Sequence, residues 1–246
     1  MASTSETGHA KNVANFKAII TVVKSFGAQY QPSSKNLQVE VLELQAESAE
    51  KTLNKLKEAE TLNKQANATL QMHFKSLNTF SSRLMGLLIS SEPKASSIEE
   101  ARSIQKRITG GNTKKKKEEV VAKSSNDAKI KRSQSRQSYD SRLDDFAKLI
   151  TVLQNIPEYN PNEEELKITT LQNMVQIMKQ AIEDNDSRDL MRNQAMNERN
   201  VVLYSADTGL TDTVFKIKAY VKAKFGGIKS VQYKSISKIK VVGKLI

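Results

Sequence analysis

Apolar residues recur at helical spacing at two places in this chain. The first stretch has one apolar face, spaced 3, 1, 3 and 3 residues apart, made of Phe16, Ile19, Ile20, Val23 and Phe26. The second stretch has a similar face, made of Leu143, Phe146, Leu149, Ile150, Leu153 and Ile156. Because 3.6 residues complete a helical turn, each pattern predicts a short amphipathic helix.

A much longer apolar pattern follows the first helix. From about residue 34 to 89 there is no proline, and Gly86 is the one helix-breaking residue. Ten positions in this segment alternate at spacings of 3 and 4: Leu56, Ala59, Asn63, Ala66, Leu70, His73, Leu77, Phe80, Leu84 and Leu87. This spacing predicts one long helix with a coiled-coil-like seam, in which Asn63 and His73 are the candidates for fixing the register.

The two halves of the chain resemble each other. Residues 16–23 align with residues 146–153 at an offset of 130, and the match continues at an offset of 129. At that second offset Tyr30 and Pro32 meet Tyr159 and Pro161. A shared Tyr-x-Pro turn is not dictated by helical periodicity, so it favours an internal duplication over chance similarity between helices.

The resulting prediction is an all-α protein made by tandem duplication, packed as an elongated helical bundle. Its parts are a polar tail at 1–10, a first helical repeat at 11–112, a basic flexible linker at 113–140 and a second repeat at 141–246. In the second repeat we expect the long helix to be less regular, with a bend at residues 184–187 and an interruption at Gly209.

Residue types that carry catalysis are scarce. The chain has no cysteine and two histidines, and it contains neither a nucleotide-binding glycine motif nor a paired-histidine metal motif. Glu40, Glu43, Glu47 and Glu50 line one helix face, as some ligands of a di-metal bundle would, but a solvated face is favoured. We therefore predict a protein that is not an enzyme and has neither a cofactor nor a small-molecule substrate.

The net charge of +12 is distributed unevenly. Residues 213–246 contain nine lysines and no Asp or Glu. Anionic partners are therefore expected at the basic segments. The candidate contact residues are Lys114, Lys115, Lys116, Lys117, Lys131, Arg132, Arg136, Lys216, Lys218, Lys222, Lys224, Lys238 and Lys240. The alternative is that the apolar residues between these lysines form core and the lysines merely solvate the opposite face.

The carboxyl-terminal region carries a motif in three parts, between residues 207 and 236. Asp207-Thr-Gly-Leu-Thr-Asp-Thr213 is followed by Ile217-Lys-Ala-Tyr-Val-Lys222 and Tyr233-Lys-Ser-Ile236. This pattern resembles the carboxyl end of a group of uncharacterised all-helical bacterial proteins. The resemblance covers about the last 40 residues and implies neither an activity nor any functional residue.

Taken together, these patterns favour a structural or protein-interaction protein that assembles with itself or with another protein. One alternative is non-specific nucleic-acid binding through the basic linker and the Lys-rich carboxyl end. A second alternative is a membrane-active helical protein that binds an anionic surface. The polar amino end, without the apolar core of a secretion signal, predicts a cytoplasmic location.

Overall fold

The computed structural model describes residues 4–110 and 138–243, and its regular elements are all helical. The α-helices are α1 (Thr4–Ser25), α2 (Val39–Lys75), α3 (Leu77–Ser90), α4 (Ala95–Thr109), α5 (Tyr139–Gln154), α6 (Ile168–Tyr204), α7 (Leu210–Lys224) and α8 (Val231–Ser237). Short 3-10 turns lie at Gly27–Gln29, Lys35–Leu37 and Glu164–Leu166. The prediction of an all-α protein is confirmed.

The long helix of the first half is almost continuous. Only Ser76, which keeps right-handed helical dihedral angles, separates α2 from α3, and α3 runs through Gly86. In the second half, α6 runs through residues 184–187 as one continuous helix, so these residues do not interrupt it. The predicted interruption at Gly209 is confirmed, because α6 ends at Tyr204 and α7 begins at Leu210.

The described chain forms two compact units, and neither consists of one repeat alone. Of the described residues, unit 1 comprises 4–63 and 188–243, and unit 2 comprises 64–110 and 138–187. The division falls inside α2 and inside α6. Unit 1 therefore contains α1 and the first part of α2 from the first predicted repeat, and the end of α6, α7 and α8 from the second. Unit 2 contains α5 and the first part of α6 from the second predicted repeat, and the end of α2, α3 and α4 from the first.

Unit 1 is built around the apolar face of α1. Phe16, Ile19 and Val23 are fully buried there, together with Ile217 and Val221 of α7, in one core cluster. This packing confirms the predicted face of the first short helix. Burial of each large aliphatic or aromatic side chain contributes about 1.5–3 kcal/mol.

The two long-helix segments of unit 1 run antiparallel. Lys55 in α2 donates to Glu198 in α6 at 2.6 Å, and Asn63 Nδ2 donates to Asp189 Oδ1 at 2.8 Å. As the residue number rises in one helix it falls in the other, which fixes the direction of the pair.

Unit 2 repeats this design with its own residues. Phe146, Leu149 and Leu153 of α5 are fully buried in a cluster that includes Leu84 and Leu88 of α3. One charge lies inside it, because Asp145 is 2% exposed and its carboxylate accepts a bond of 3.0 Å from Arg107 Nε. The ion pair lowers the cost of burying that carboxylate.

A buried tyrosine closes the same turn in both units. Tyr30 donates its hydroxyl to the carbonyl of Leu37 at 3.0 Å, and Tyr159 donates to the carbonyl of Leu166 at 2.8 Å. In each case the acceptor lies seven residues ahead. Burial raises the pKa of both tyrosines to about 12.

We expect the double variant Tyr30→Phe/Tyr159→Phe to be less stable and less sensitive to alkaline pH. Each change leaves a carbonyl without its donor, at a cost of about 1–3 kcal/mol. Because the folded pKa of about 12 lies above the ordinary 10.0, each tyrosine's contribution is complete below pH 10.0 and is lost as the pH rises toward about 12. Urea unfolding at several pH values measures both effects. Equal loss of stability above pH 10.0 in wild type and variant would contradict this prediction.

Candidate functional site

The predicted contact residues divide into two groups. Lys114, Lys115, Lys116, Lys117, Lys131, Arg132 and Arg136 lie outside the described residues. The others lie in unit 1, on α7 and after α8. The structure therefore bears only on the second group.

The four lysines of α7 have different environments. Lys222 and Lys224 are exposed. Lys216 contacts Asp207, donating to its carbonyl at 2.7 Å with the carboxylate at 3.5 Å. Lys218 is half-buried and donates to the carbonyl of Ile239 at 2.6 Å, and desolvation lowers its pKa. Lys218 therefore holds the chain after α8, whereas the other three lysines keep their heads at the surface.

One face of α7 combines lysines with an uncovered aromatic ring. Its apolar residues do not all enter the core: Val214, Ile217 and Val221 are buried, whereas Phe215 is 74% exposed. Helical spacing places the exposed residues Ala219, Lys222 and Ala223 on the side of Phe215, and the exposed Lys216 lies at the edge of that side. We define the basic face as Phe215, Lys216, Ala219, Lys222 and Ala223, all exposed.

The motif at 207–213 forms the turn before α7. Asp207 has a φ of 65°, and its backbone N–H donates to the Asp212 carboxylate at 2.7 Å. The Gly209 N–H donates to the Ser205 carbonyl at 2.8 Å, and the Thr213 hydroxyl donates to the Gly209 carbonyl at 3.1 Å. These bonds hold the turn that joins α6 to α7, so the motif residues that make them have a structural role in that turn.

A cavity of about 670 Å³ lies in unit 1, between the start of α1 and the chain after α8. We call it the terminal cavity; its lining is Gly8, His9, Lys11, Asn12, Asn15, Ala18, Tyr204, Lys238, Ile239, Lys240, Val242 and Gly243. Two of the predicted contact residues, Lys238 and Lys240, are thus brought together with Lys11. Because α1 begins at Thr4, it includes much of the segment predicted as a polar tail.

Asparagines of α1 hold the chain that closes this cavity. Asn12, 3% exposed, accepts from the Val242 N–H at 3.0 Å and donates to the Val242 carbonyl at 2.8 Å. Asn15 donates to the Lys240 carbonyl at 2.6 Å. The Tyr204 hydroxyl lies 3.2 Å from Asn12 Nδ2 and 2.5 Å from His9 Nδ1. His9, Asn12 and Tyr204 therefore form one polar chain along the cavity.

The corresponding positions of unit 2 carry charges. At the offset of 130, Asn12 corresponds to Arg142 and Asn15 corresponds to Asp145. Arg142 donates to the Phe74 carbonyl at 3.2 Å, and Asp145 pairs with Arg107. Unit 1 thus has two neutral amides where unit 2 has one cation and one carboxylate, and that carboxylate is paired with Arg107.

An acidic groove of about 630 Å³ lies in unit 2, between α5 and α6. Its lining is Asp140, Ser141, Leu143, Asp144, Ala147, Val175, Lys179, Ile182, Glu183 and Asp186. At the corresponding place in unit 1, Lys17 and Glu50 form an ion pair at 2.7 Å. Their counterparts in unit 2 are Ala147 and Lys179, and the short alanine side chain leaves the groove open.

The two candidate register residues lie on α2. Asn63 is 8% exposed and bonds to Asp189 of α6, a contact that fits a role in register. His73 is half-buried. All ten positions of the predicted seam are buried or half-buried.

The carboxylates of the predicted acidic face are partly paired, since Glu43 contacts Lys24 and Glu50 contacts Lys17. Among the described residues, no three His, Asp or Glu side chains cluster closely enough to hold a metal ion. No described helix is long and apolar enough to span a membrane.

Two features of these sites were not predicted from the sequence. His9 and Tyr204 are 195 residues apart, and nothing in the pattern joins them. Ala147, at the position that corresponds to Lys17, marks the groove, and a position-by-position comparison of the repeats could have found it.

Comparison with known protein families, with curated proteins and with solved structures found no match.

Proposed function

We propose that this chain is a non-enzymatic protein-interaction protein that assembles with copies of itself. The observation that carries this proposal is a pair of surfaces of opposite charge, the acidic groove of unit 2 and the basic face of unit 1. In the assembly, the basic face of one copy docks in the acidic groove of the next.

The acidic groove has the chemistry to receive a basic apolar helix. Apolar side chains of Leu143, Val175 and Ile182 line it, and four carboxylates against one lysine make it acidic. An occupant with apolar groups and lysines would bury apolar area and pair its charges at the same time.

The basic face offers a matching ligand. Phe215 is the kind of side chain that anchors interfaces, since a buried aromatic ring contributes more contact area than other residues. Lys222, seven residues on, lies on the same side of α7 as Phe215, and Lys216 lies at the edge of that side beside Asp207. At an offset of 133, which aligns the buried residues of α3 with those of α7, the residue of unit 2 that corresponds to Phe215 is Ser82.

A contact between two different surfaces has a consequence for the assembly. Such a head-to-tail contact produces a ring if the rotation closes and an open filament if it does not. Because opposite charges form part of the interface, raising the salt concentration should weaken the assembly.

The proposal includes tandem duplication as the origin of both surfaces and coiled-coil-like packing of the long helices. Supporting observations are the equal lengths of α2 and α6, 37 residues each at the constant offset of 129, and the two matching tyrosine turns. Divergence between the copies then removed the Lys17–Glu50 bridge from unit 2 and introduced Phe215 in unit 1. A cytoplasmic location stays a prediction from the sequence.

Light scattering coupled to size exclusion tests the proposal. At 50 mM salt we expect masses above that of one chain, and at 500 mM salt the mass of one chain, since the Debye length falls from about 10 Å at 0.1 M to about 3 Å at 1 M. Phe215→Ser should abolish assembly by disabling the basic face. Asp140→Asn/Asp144→Asn/Glu183→Gln should abolish it by disabling the groove.

Mixing these two variants gives the sharpest result. Each is a single chain alone, but one intact groove and one intact face remain in the mixture, so a dimer and nothing larger should form. The matched control Glu40→Gln/Glu47→Gln/Glu58→Gln removes three carboxylates from unit 1 and should assemble as the wild type does. A wild type that stays a single chain at 50 mM salt, or that elutes with nucleic acid only at low salt, would contradict self-assembly.

A further inference from the structure

The terminal cavity of unit 1 has an excess of positive charge that no described neighbour neutralises. Lys11, Lys238 and Lys240 line it, and none of the three makes an ion pair with a described residue. None of the described lining residues is acidic. An anion that enters the cavity would therefore find several cations and, among the described lining residues, no opposing carboxylate.

Comparison with unit 2 identifies one buried carboxylate that unit 1 lacks at the corresponding position. There, the cation Arg107 has an internal partner, the buried carboxylate of Asp145. The residue corresponding to Asp145 in unit 1 is Asn15, whose amide is used to hold the Lys240 carbonyl. Unit 1 thus has an amide where unit 2 has a buried anion, and it also has an amide, Asn12, where unit 2 has the cation Arg142. The cations that line the cavity are lysines from other positions.

The cavity is also preformed. Asn12 fixes the Val242 backbone by two hydrogen bonds, Asn15 fixes Lys240, and Lys218 fixes Ile239. Both sides of the cavity are therefore held before a ligand arrives, which lowers the entropy that binding must overcome.

Size and lining narrow the class of ligand. A volume of about 670 Å³ lies within the range of roughly 300–1,000 Å³ that small-molecule sites occupy. Ala18, Ile239 and Val242 add an apolar part to the lining. We propose that the terminal cavity binds a small amphiphilic anion, a molecule with a phosphate or carboxylate head beside the lysines and an apolar body against Ala18, Ile239 and Val242.

This inference stands apart from self-assembly, because none of the residues that define the basic face or the acidic groove lines the terminal cavity. Either proposal can fail while the other holds. The Phe215→Ser variant, a single chain under the assembly proposal, is expected to keep the binding described below.

The test is a titration followed by the backbone amide resonances of Gly8, Val242 and Gly243 in the full chain. The probes are hexyl phosphate, hexanoate, inorganic phosphate and hexanol, each at 150 mM salt. Hexyl phosphate or hexanoate should shift these resonances saturably, and the tighter of the two identifies the head group. Inorganic phosphate should bind more weakly, and neutral hexanol should leave the resonances unchanged.

Three variants separate charge from shape. Lys238→Gln/Lys240→Gln should weaken binding of the better probe by about tenfold or more, since two charge-assisted contacts are lost. Ala18→Trp should abolish it by filling the cavity with the charges retained. The control Lys51→Gln/Lys57→Gln removes the same charge from exposed positions of α2 in unit 1 and should leave the dissociation constant within about twofold.

Absence of saturable shifts at these amides for both anionic probes would overturn the proposal. An equal loss in the two double-lysine variants would also overturn it, because the anion would then be sensing the general charge of unit 1 and not the cavity.

Discussion

Replacing Phe146 by alanine is expected to lower the free energy of unfolding by about 3–5 kcal/mol. The ring is 0% exposed in the core of unit 2, with the Phe80 ring centroid 6.4 Å away. Removing it forfeits the transfer free energy of the ring and leaves a cavity that close-packed neighbours fill only in part. Phe16→Ala should have a similar effect on unit 1, where Phe16 is also 0% exposed.

Urea unfolding followed by circular dichroism measures this loss. The matched control is Phe215→Ala at high salt, where we expect a change within about 0.5 kcal/mol because that ring is 74% exposed. If Phe146→Ala proved no more costly than Phe215→Ala, Phe146 could not lie in a packed core.

Replacing Gly209 by alanine is expected to destabilise the chain by about 1–3 kcal/mol or more. A Cβ at this position would lie 2.6 Å from both the backbone nitrogen and the carbonyl oxygen of Ser205. Neither atom can move without opening the turn between α6 and α7. The φ of Gly209 is −67°, so the requirement for glycine here is one of space and not of dihedral angle.

Gly86→Ala provides the control of opposite sign. No atom lies within 4 Å of a Cβ built at Gly86, which is exposed in the interior of α3. Alanine loses less backbone entropy in a helix, so this variant should be more stable by about 0.5–1 kcal/mol. Relative to the wild type, the urea midpoint should fall for Gly209→Ala and rise for Gly86→Ala. A Gly209→Ala variant as stable as the wild type would contradict the close approach between Gly209 and Ser205.

The helices could be predicted because their signal is local. The apolar spacing in α1 predicts that Phe16 and Val23 are buried, and the glycine at position 209 predicts a turn. What covers that face is not a local property. The α7 helix of the second repeat covers it, yet the pattern of Phe16 and Val23 would be equally satisfied by α3 of its own repeat.

The candidate sites were less predictable for related reasons. Val214 and Phe215 are adjacent apolar residues of one helix, and only the packing decides that Val214 is buried and Phe215 is not. The polar residues 184–187 do not interrupt α6, because polar residues inside a long helix are tolerated where they face solvent or find partners. Asp184, for example, accepts a bond from Gln180 within α6 at 3.1 Å.

Each compact unit is built from helices of both halves of the chain. Inserting the recognition sequence of a site-specific protease after Ser124, between the repeats, allows the chain to be cut into two pieces. After cutting, light scattering at 500 mM salt should give the mass of the intact chain, because the cores of units 1 and 2 each join helices of both pieces. Two separate helical pieces of about half that mass, without denaturant, would contradict the claim.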